Sequence, residues 1–172
     1  MPYENLCHTL DALLKQQHDP AKAAAEKTVE IPVCYDPEYG IDLELLASKF
    51  QCSIEQIIAL HTSRTARVFM LGFAPGMPYM GTLDEKLDVP RLATPRLAIA
   101  AGSVAIANRQ TVIYPHASPG GWHIIGRTPI ALFNPERAPH SLLSPGNMVR
   151  FKAISKETFA TLKQDNNEHP GH

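Results

Sequence analysis

Pro119-Gly120-Gly121-Trp122-His123-Ile124-Ile125-Gly126-Arg127-Thr128 contains the single tryptophan of the chain, a proline entry, paired glycines and an arginine closing an apolar run. Proline fixes φ, and paired glycines permit either a positive φ or a close backbone approach to a ligand. The stretch therefore reads as a tight turn feeding a strand over Trp122–Gly126. Side chains alternate along a strand, so one of Trp122 and His123 faces any pocket beside the glycine corner, and the other faces away.

Working outward, short β-rich runs recur at Val68–Phe73, Leu97–Ala100, Val104–Ala107, Thr111–Tyr114, Ile130–Phe133 and Met148–Ile154. Ten of the 15 prolines and eight of the 10 glycines fall between Gly72 and Gly146, which argues against long helices there. Short strands separated by turn residues predict a closed barrel or a sandwich. Upstream, Val29–Tyr35 alternates as a strand, and two short helices follow it. Asp42 is placed to cap the first, whose apolar face is Leu43, Leu46, Ala47 and Phe50. Ser53 and Gln56 form a capping-box pattern for the second, which carries Ile54, Ile57, Ile58 and His61 on one stripe. Leu6, Leu10, Leu13 and Leu14 recur at helical spacing before Asp19-Pro20. Ser155 is placed to cap a last short helix, and Asp165–His172 reads as a polar, disordered tail.

The formal net charge of −1 conceals an asymmetry. Residues 1–88 carry 13 acids and 7 bases, whereas residues 89–156 carry one acid, Glu136, and eight bases. A segment with one carboxylate cannot supply an acid/base carboxylate pair, and it favours an anionic ligand. The bases are dispersed among prolines and glycines without an aromatic ladder, so nucleic acid is not the expected partner. A compact phosphate or carboxylate suits bidentate arginine better. Arg127, held at the end of its strand, is the first candidate for that contact. Arg91 and Arg96 follow Pro90 and Pro95 and project from φ-locked backbone. Gln110 and Tyr114 are placed to orient a substrate amide or to bond backbone. Ser103 has no adjacent base and reads as a hydrogen-bonder.

Cys7, Cys34 and Cys52 lack a CxxC spacing and are expected to be reduced, with no metal site and a cytoplasmic location. The sequence has no run long enough to span a bilayer and no signal-peptide pattern. Phosphate-loop, Rossmann, zinc-helix and nucleophile-elbow patterns are absent as well. Chemistry, if any, would rest on arginines, backbone amides and neutral donors that stabilise developing charge.

Several of these residues recur together in one family. Gly72-Phe73, Pro75-Gly76, Pro78-Tyr79, Gly81, Pro90-Arg91, Pro95-Arg96 and Ala101-Gly102-Ser103-Val104 are followed by Gln110-Thr111, Tyr114-Pro115, Pro119–Thr128, Leu143, Pro145-Gly146 and Val149-Arg150-Phe151. In this pattern the chain resembles the family of the 5-oxoprolinase B subunit, also described as allophanate hydrolase subunit 1 and as the Kip sporulation-kinase inhibitor. The resemblance implies a mainly β fold with a few helices, a cyclophilin-like closed β-barrel over residues 28–155 with a two-helix insertion near its start. Residues 1–27 would be the remnant last helix of an N-terminal α/β domain, open to self-association, and 156–172 a short helix and tail.

The resemblance further implies a subunit of an ATP-dependent hydrolase that opens 5-oxo-L-proline to L-glutamate, with Mg²⁺ bound to ATP and biotin not expected. Its partner would be a homologous second barrel protein (of the 5-oxoprolinase C subunit type), and the chain alone would be inactive. Inhibition of a sensor histidine kinase, or a part in an allophanate or urea carboxyltransferase-amidolyase, are the competing functions. On this resemblance His61 joins Arg127 and Gln110 as candidate catalytic residues, and Arg91, Arg96, Tyr114, Gly120, Gly121 and His123 are candidates for substrate or nucleotide binding. The chain departs from the family where Asn108-Arg109 stands in place of a Gly-Gly pair, Val112 in place of a small residue, and Asn147 in place of an aspartate.

Overall fold

The computed structural model describes residues 27–168 together with Asn5, Cys7, His8, Thr9 and Asp11, which are helical. The expected leucine stripe at residues 6–14 and the bridge to residue 26 otherwise lie outside the described residues. Nine strands are present among the described residues: β1 (Thr28–Cys34), β2 (Ala66–Leu71), β3 (Pro78–Gly81), β4 (Arg96–Ile99), β5 (Ser103–Ala107), β6 (Gln110–Ile113), β7 (Ser118–Gly120), β8 (His123–Arg127) and β9 (Met148–Ile154). The described helices are α1 (Leu43–Phe50), α2 (Ile54–Thr62) and α3 (Lys156–Glu168), with a 3-10 turn at Glu85–Leu87. No helix among the described residues is long and apolar enough to cross a membrane.

Seven strands close into a barrel in the order β1-β8-β5-β6-β3-β2-β9, and β4 and β7 form a separate two-stranded ribbon. Most pairs are antiparallel, but β1 and β9 run parallel over their whole length, from Thr28↔Met148 to Cys34↔Ile154. The period-two pattern supplies the interior: Ile31 and Val33 of β1, Val104 and Ile106 of β5, and Val149 and Phe151 of β9 are buried in one cluster. Arg150 and Lys152 alternate outward on β9. Leu43, Leu46 and Ile57 bring α1 and α2 onto the same core.

The β5–β6–β8 wall is buried on both faces. Val104, Ile106, Ile113 and Ile125 belong to the barrel core. Ala105, Ala107, Val112, Trp122 and Ile124 belong to a second cluster with Met77, Ile99 and Tyr114. This second cluster underlies the candidate site.

Local expectations and structure differ at several points. β3 begins at Pro78, inside what reads as a proline-stiffened loop; proline is tolerated as the first residue of a strand because no earlier ladder bond is lost. Ser118-Pro119-Gly120 reads as a turn but pairs as β7 with β4. Ile130–Phe133 forms no strand, only an isolated bridge from Phe133 to Ser141. Helix α3 is not short, and it continues through Asp165–Glu168, where the polar composition predicts a tail.

Ser53 and Gln56 make both bonds of a capping box. Asp42 makes no side-chain cap. Its carboxylate instead accepts from the Ile124 backbone N–H and from Arg96 Nη2, each at 2.6 Å. The Asn108-Arg109 pair forms the two-residue β5–β6 turn with φ of 48° and 60°, between the paired residues Ala107 and Gln110. A type I′-like turn needs positive φ at both positions, which asparagine accepts readily and arginine less so.

Candidate functional site

Outside the β5–β6–β8 wall lies a cleft of about 270 Å³. Met77, Tyr114 and Trp122, each at most 4% exposed, form its buried base. Tyr79, Phe73, Arg91, Pro95 and the Pro119-Gly120-Gly121 corner complete the lining. The Arg91 guanidinium carbon lies 5.1 Å from the centroid of the Trp122 ring. Tyr79 meets the same indole edge-on, with centroids 6.0 Å apart. A guanidinium over an aromatic face is attracted by the ring quadrupole while its edge N–H groups remain available to a ligand.

Burial pushes the Tyr114 hydroxyl up to about 12, with Tyr79 adding to the rise and Arg91 and Arg96 opposing it. Tyr114 therefore keeps its proton at neutral pH and can donate a hydrogen bond. The cleft thus combines a cation, a neutral donor and apolar walls.

Phe73 sits at φ 68° and is 68% exposed. A bulky residue in the left-handed region is unusual, and such positions gather at ligand sites. Neither Gly120 nor Gly121 takes a positive φ, contrary to one use of a glycine pair. Gly120 serves close approach: a Cβ there would collide with the Tyr114 hydroxyl. A Cβ on Gly121 would meet only ordinary contacts at 3.7 Å or more.

The structure therefore brings Arg91, Tyr114, Gly120 and Gly121 to one cleft and leaves the other expected residues outside its lining. Arg127, half-buried at the end of β8, donates from Nε to the Ala101 carbonyl at 2.7 Å. Gln110 starts β6 next to the Asn108-Arg109 turn and pairs with Gly81 and Ala107. Arg96, on the ribbon beside Pro95, is bound to Asp42. Of the alternating pair, Trp122 lines the cleft, and His123 is directed to the Pro90 carbonyl at 3.0 Å.

His61 lies in the barrel interior, 1% exposed. Its Nδ1 is 2.7 Å from the Tyr35 hydroxyl and its Nε2 is 3.1 Å from Thr111 Oγ1, and its ring packs on Phe151 with centroids 4.3 Å apart. With Tyr35 donating to Nδ1, the Nε2–H donates to Thr111, so a neutral ring satisfies both nitrogens. Burial lowers the His61 pKa from 6.5 to about 3. Between those values the unfolded chain binds a proton that the folded chain refuses, so stability falls as pH drops from about 6.5 toward 3. The slope approaches about 1.4 kcal/mol per pH unit for this one group. His61→Gln should flatten the acid limb of denaturant-measured stability over this window; an unchanged limb would assign the titration to other residues.

In the sequence Trp122 reads as a core plug more readily than as a substrate platform. The aromatic and methionine side chains of Leu71–Gly81 face either core or ligand, and the block from Pro119 reads as a pocket wall. Phe73, Met77, Tyr79, Pro119 and Trp122 all line the cleft, together with Pro95, which the sequence does not single out as a lining residue. The available signal was the spacing of aromatic and methionine side chains in the proline- and glycine-rich segment Leu71–Gly81. A larger groove of about 700 Å³ lies on the α1–α2 pair, but among the described residues Lys86 is its only cationic lining residue and none of the expected residues reaches it.

Residues 1–143 match the model of the carboxyltransferase domain, subdomain C and D. The chain is 47% identical over 141 residues to the 5-oxoprolinase B subunit of Bacillus subtilis (strain 168), covering 82% of this chain and 59% of that protein. It is 49% identical over 123 residues to the 5-oxoprolinase B subunit of Escherichia coli O157:H7, covering 72% of this chain and 56% of that protein. The chain thus spans less than three fifths of the curated relatives it matches. Among solved structures, it superposes on the Pyrococcus horikoshii protein PH0987 with a TM-score of 0.75 and 42% identity, covering 91% of this chain and 71% of that one. The likeness to Kluyveromyces lactis urea carboxylase, at 22% identity and a TM-score of 0.70, concerns the fold alone. Matched over most of its length by that family model and by these relatives, the chain belongs to the carboxyltransferase domain family, subdomain C and D.

Proposed function

We propose that this chain is part of an ATP-dependent 5-oxoprolinase and that its cleft holds 5-oxo-L-proline. The observation that carries this reading is the Arg91 guanidinium over Trp122 in the same small cleft as the protonated Tyr114 hydroxyl. The substrate has one carboxylate, one lactam carbonyl and a compact, partly apolar ring. Arg91 pairs with the carboxylate, Tyr114 donates to the lactam oxygen, and the aromatic walls cover the ring. A donor aimed at that oxygen favours the negative charge that gathers there as the amide is activated. The identity of about 48% with proteins named as the B subunit of 5-oxoprolinase supports the choice of substrate.

The residues of this cleft do not fit MgATP. Its volume of about 270 Å³ lies below the roughly 300–1,000 Å³ of sites for drug-sized ligands, and among the described residues no carboxylate lines it to hold Mg²⁺. We therefore assign the nucleotide to a site formed with a second, homologous barrel protein. Lactam opening to glutamate then belongs to the assembled enzyme, with this chain alone inactive.

Titration of the chain with 5-oxo-L-proline while following Trp122 emission tests the reading. A saturable change is expected, and 2-pyrrolidinone, which lacks the carboxylate, should bind at least about tenfold more weakly. Equal response to both ligands would remove the carboxylate from the recognition scheme.

A further inference from the structure

We infer that His123 is a positioning residue for Arg91, acting by fastening the Pro90–Leu92 strap across the glycine corner. The inference rests on the reading of the cleft as a 5-oxo-L-proline site, but it concerns a residue that does not line it. Three contacts run in opposite chain order, like a fragment of ladder. His123 Nε2 lies 3.0 Å from the Pro90 carbonyl, Arg91 stacks over Trp122, and the Leu92 N–H donates to the Gly121 carbonyl at 2.7 Å. Only the last is a backbone ladder bond. Proline offers no N–H, so its carbonyl is the one backbone group at position 90 that can be tied down.

Upstream, the strap is fixed to the core, because Val89 is fully buried and its carbonyl accepts from the Asn108 N–H at 2.7 Å. Arg91 itself is exposed, so apart from the face of Trp122 no surrounding packing holds it in place. The location of its guanidinium depends on the two ties that flank it.

The imidazole suits this role. His123 is 5% exposed and sits on β8, in register with Ile106 of the barrel wall. A carbonyl oxygen only accepts, so Nε2 carries a proton, and in the neutral ring Nδ1 is then a bare acceptor. That Nδ1 is buried without a protein partner among the described residues, an arrangement that costs stability where packing alone would favour an apolar side chain. The bond to Pro90 is what the imidazole supplies and a leucine would not.

The test uses the whole chain, whose single tryptophan lies under Arg91. His123→Leu fills the space without a donor, whereas the amide of His123→Gln can still donate to Pro90. His123→Leu should raise acrylamide quenching of Trp122, speed exchange of the Leu92 amide, and weaken 5-oxo-L-proline binding about tenfold, the scale of one net hydrogen bond. His123→Gln should restore most of all three. In an Arg91→Ala background, His123→Leu should cost no further affinity.

Equal losses with and without Arg91, or Gln behaving as Leu, would overturn the inference. Nitrogen NMR of the wild-type imidazole gives a check that does not depend on a variant folding: the Nε2-protonated tautomer is expected, and the opposite tautomer would refute the bond. Should 5-oxo-L-proline fail to bind the wild-type chain, the functional reading falls, while quenching, amide exchange and tautomer still decide the role of His123.

Discussion

Arg91→Ala is expected to reduce 5-oxo-L-proline turnover in the reconstituted complex by about 10- to 100-fold at sub-saturating substrate, the cost of removing the charge-assisted hydrogen-bond partner of the substrate carboxylate. The chain should remain folded. Arg91 is exposed, and its stacking on Trp122 contributes about 0.5–1 kcal/mol at such a position, so the thermal midpoint should move by no more than about 4 °C. Arg91→Lys keeps the charge but loses the planar fork, and should lie between the two. Residual turnover of 2-pyrrolidinone separates recognition of the carboxylate from a general loss, because it has no carboxylate for Arg91 to grip and should be indifferent to the substitution. Arg127→Ala is the contrasting variant: its guanidinium is engaged with the Ala101 carbonyl away from the cleft, so turnover should be retained. Normal turnover in Arg91→Ala would take Arg91 out of the site.

Asp42→Ala is expected to be the most destabilising of these substitutions. The Asp42 side chain is 5% exposed and the Arg96 side chain 30%. Removing the carboxylate strips the Ile124 N–H of its acceptor and leaves a half-buried guanidinium without its counter-charge. Breaking a buried pair from one side costs about 3–5 kcal/mol; with Arg96 partly solvated, about 3 kcal/mol is the better figure. For a chain of this size that lowers the midpoint by about 6–12 °C. Asp42→Asn keeps one acceptor and should lose less. A loss within about 0.5 kcal/mol for Asp42→Ala, the level of an ordinary surface change, would show that Arg96 and Ile124 find other partners. Because Asp42 ties α1 to both the ribbon and β8, the cleft should also loosen, which Trp122 quenching can read.

Much of the fold was legible where side chains alternate on a half-buried or doubly buried strand. Val104–Ala107, Thr111–Tyr114 and Met148–Ile154 announce β5, β6 and β9 to within a residue or so. What alternation cannot encode is which strand pairs with which: the parallel β1–β9 seam has no local signature. Ser118-Pro119-Gly120 and Pro78–Gly81 were hidden because their residues favour turns, and their pairing is imposed by tertiary neighbours. Ile130–Phe133 shows the opposite error, since apolar residues beside Pro129 pack as irregular chain.

At the site, the two Pro-Arg dipeptides look alike in sequence, yet Arg91 lines the cleft and Arg96 turns into an ion pair. That choice depends on Asp42, more than fifty positions upstream in sequence. Trp122 and His123 were recognisable as facing opposite ways, but only the course of the Pro90–Leu92 strap decides which of them lines the cleft.

The seam between β1 and β9 also sets the order of events when this chain is made. Thr28–Cys34 leaves the ribosome well before its parallel partner, which it can find only after Met148–Ile154 has been synthesised. Until then β1 and β2 both lack their β9 neighbour, and the barrel is an open sheet with bare edges prone to pairing with other chains. Contacts this distant in sequence slow folding, since the connecting loop must close before they add stability. A chain cut at residue 143, where the family match stops, would lack the closing strand altogether. Such a fragment should associate with itself instead of folding as a monomer, so the last strand is as necessary to the cleft as the residues that line it.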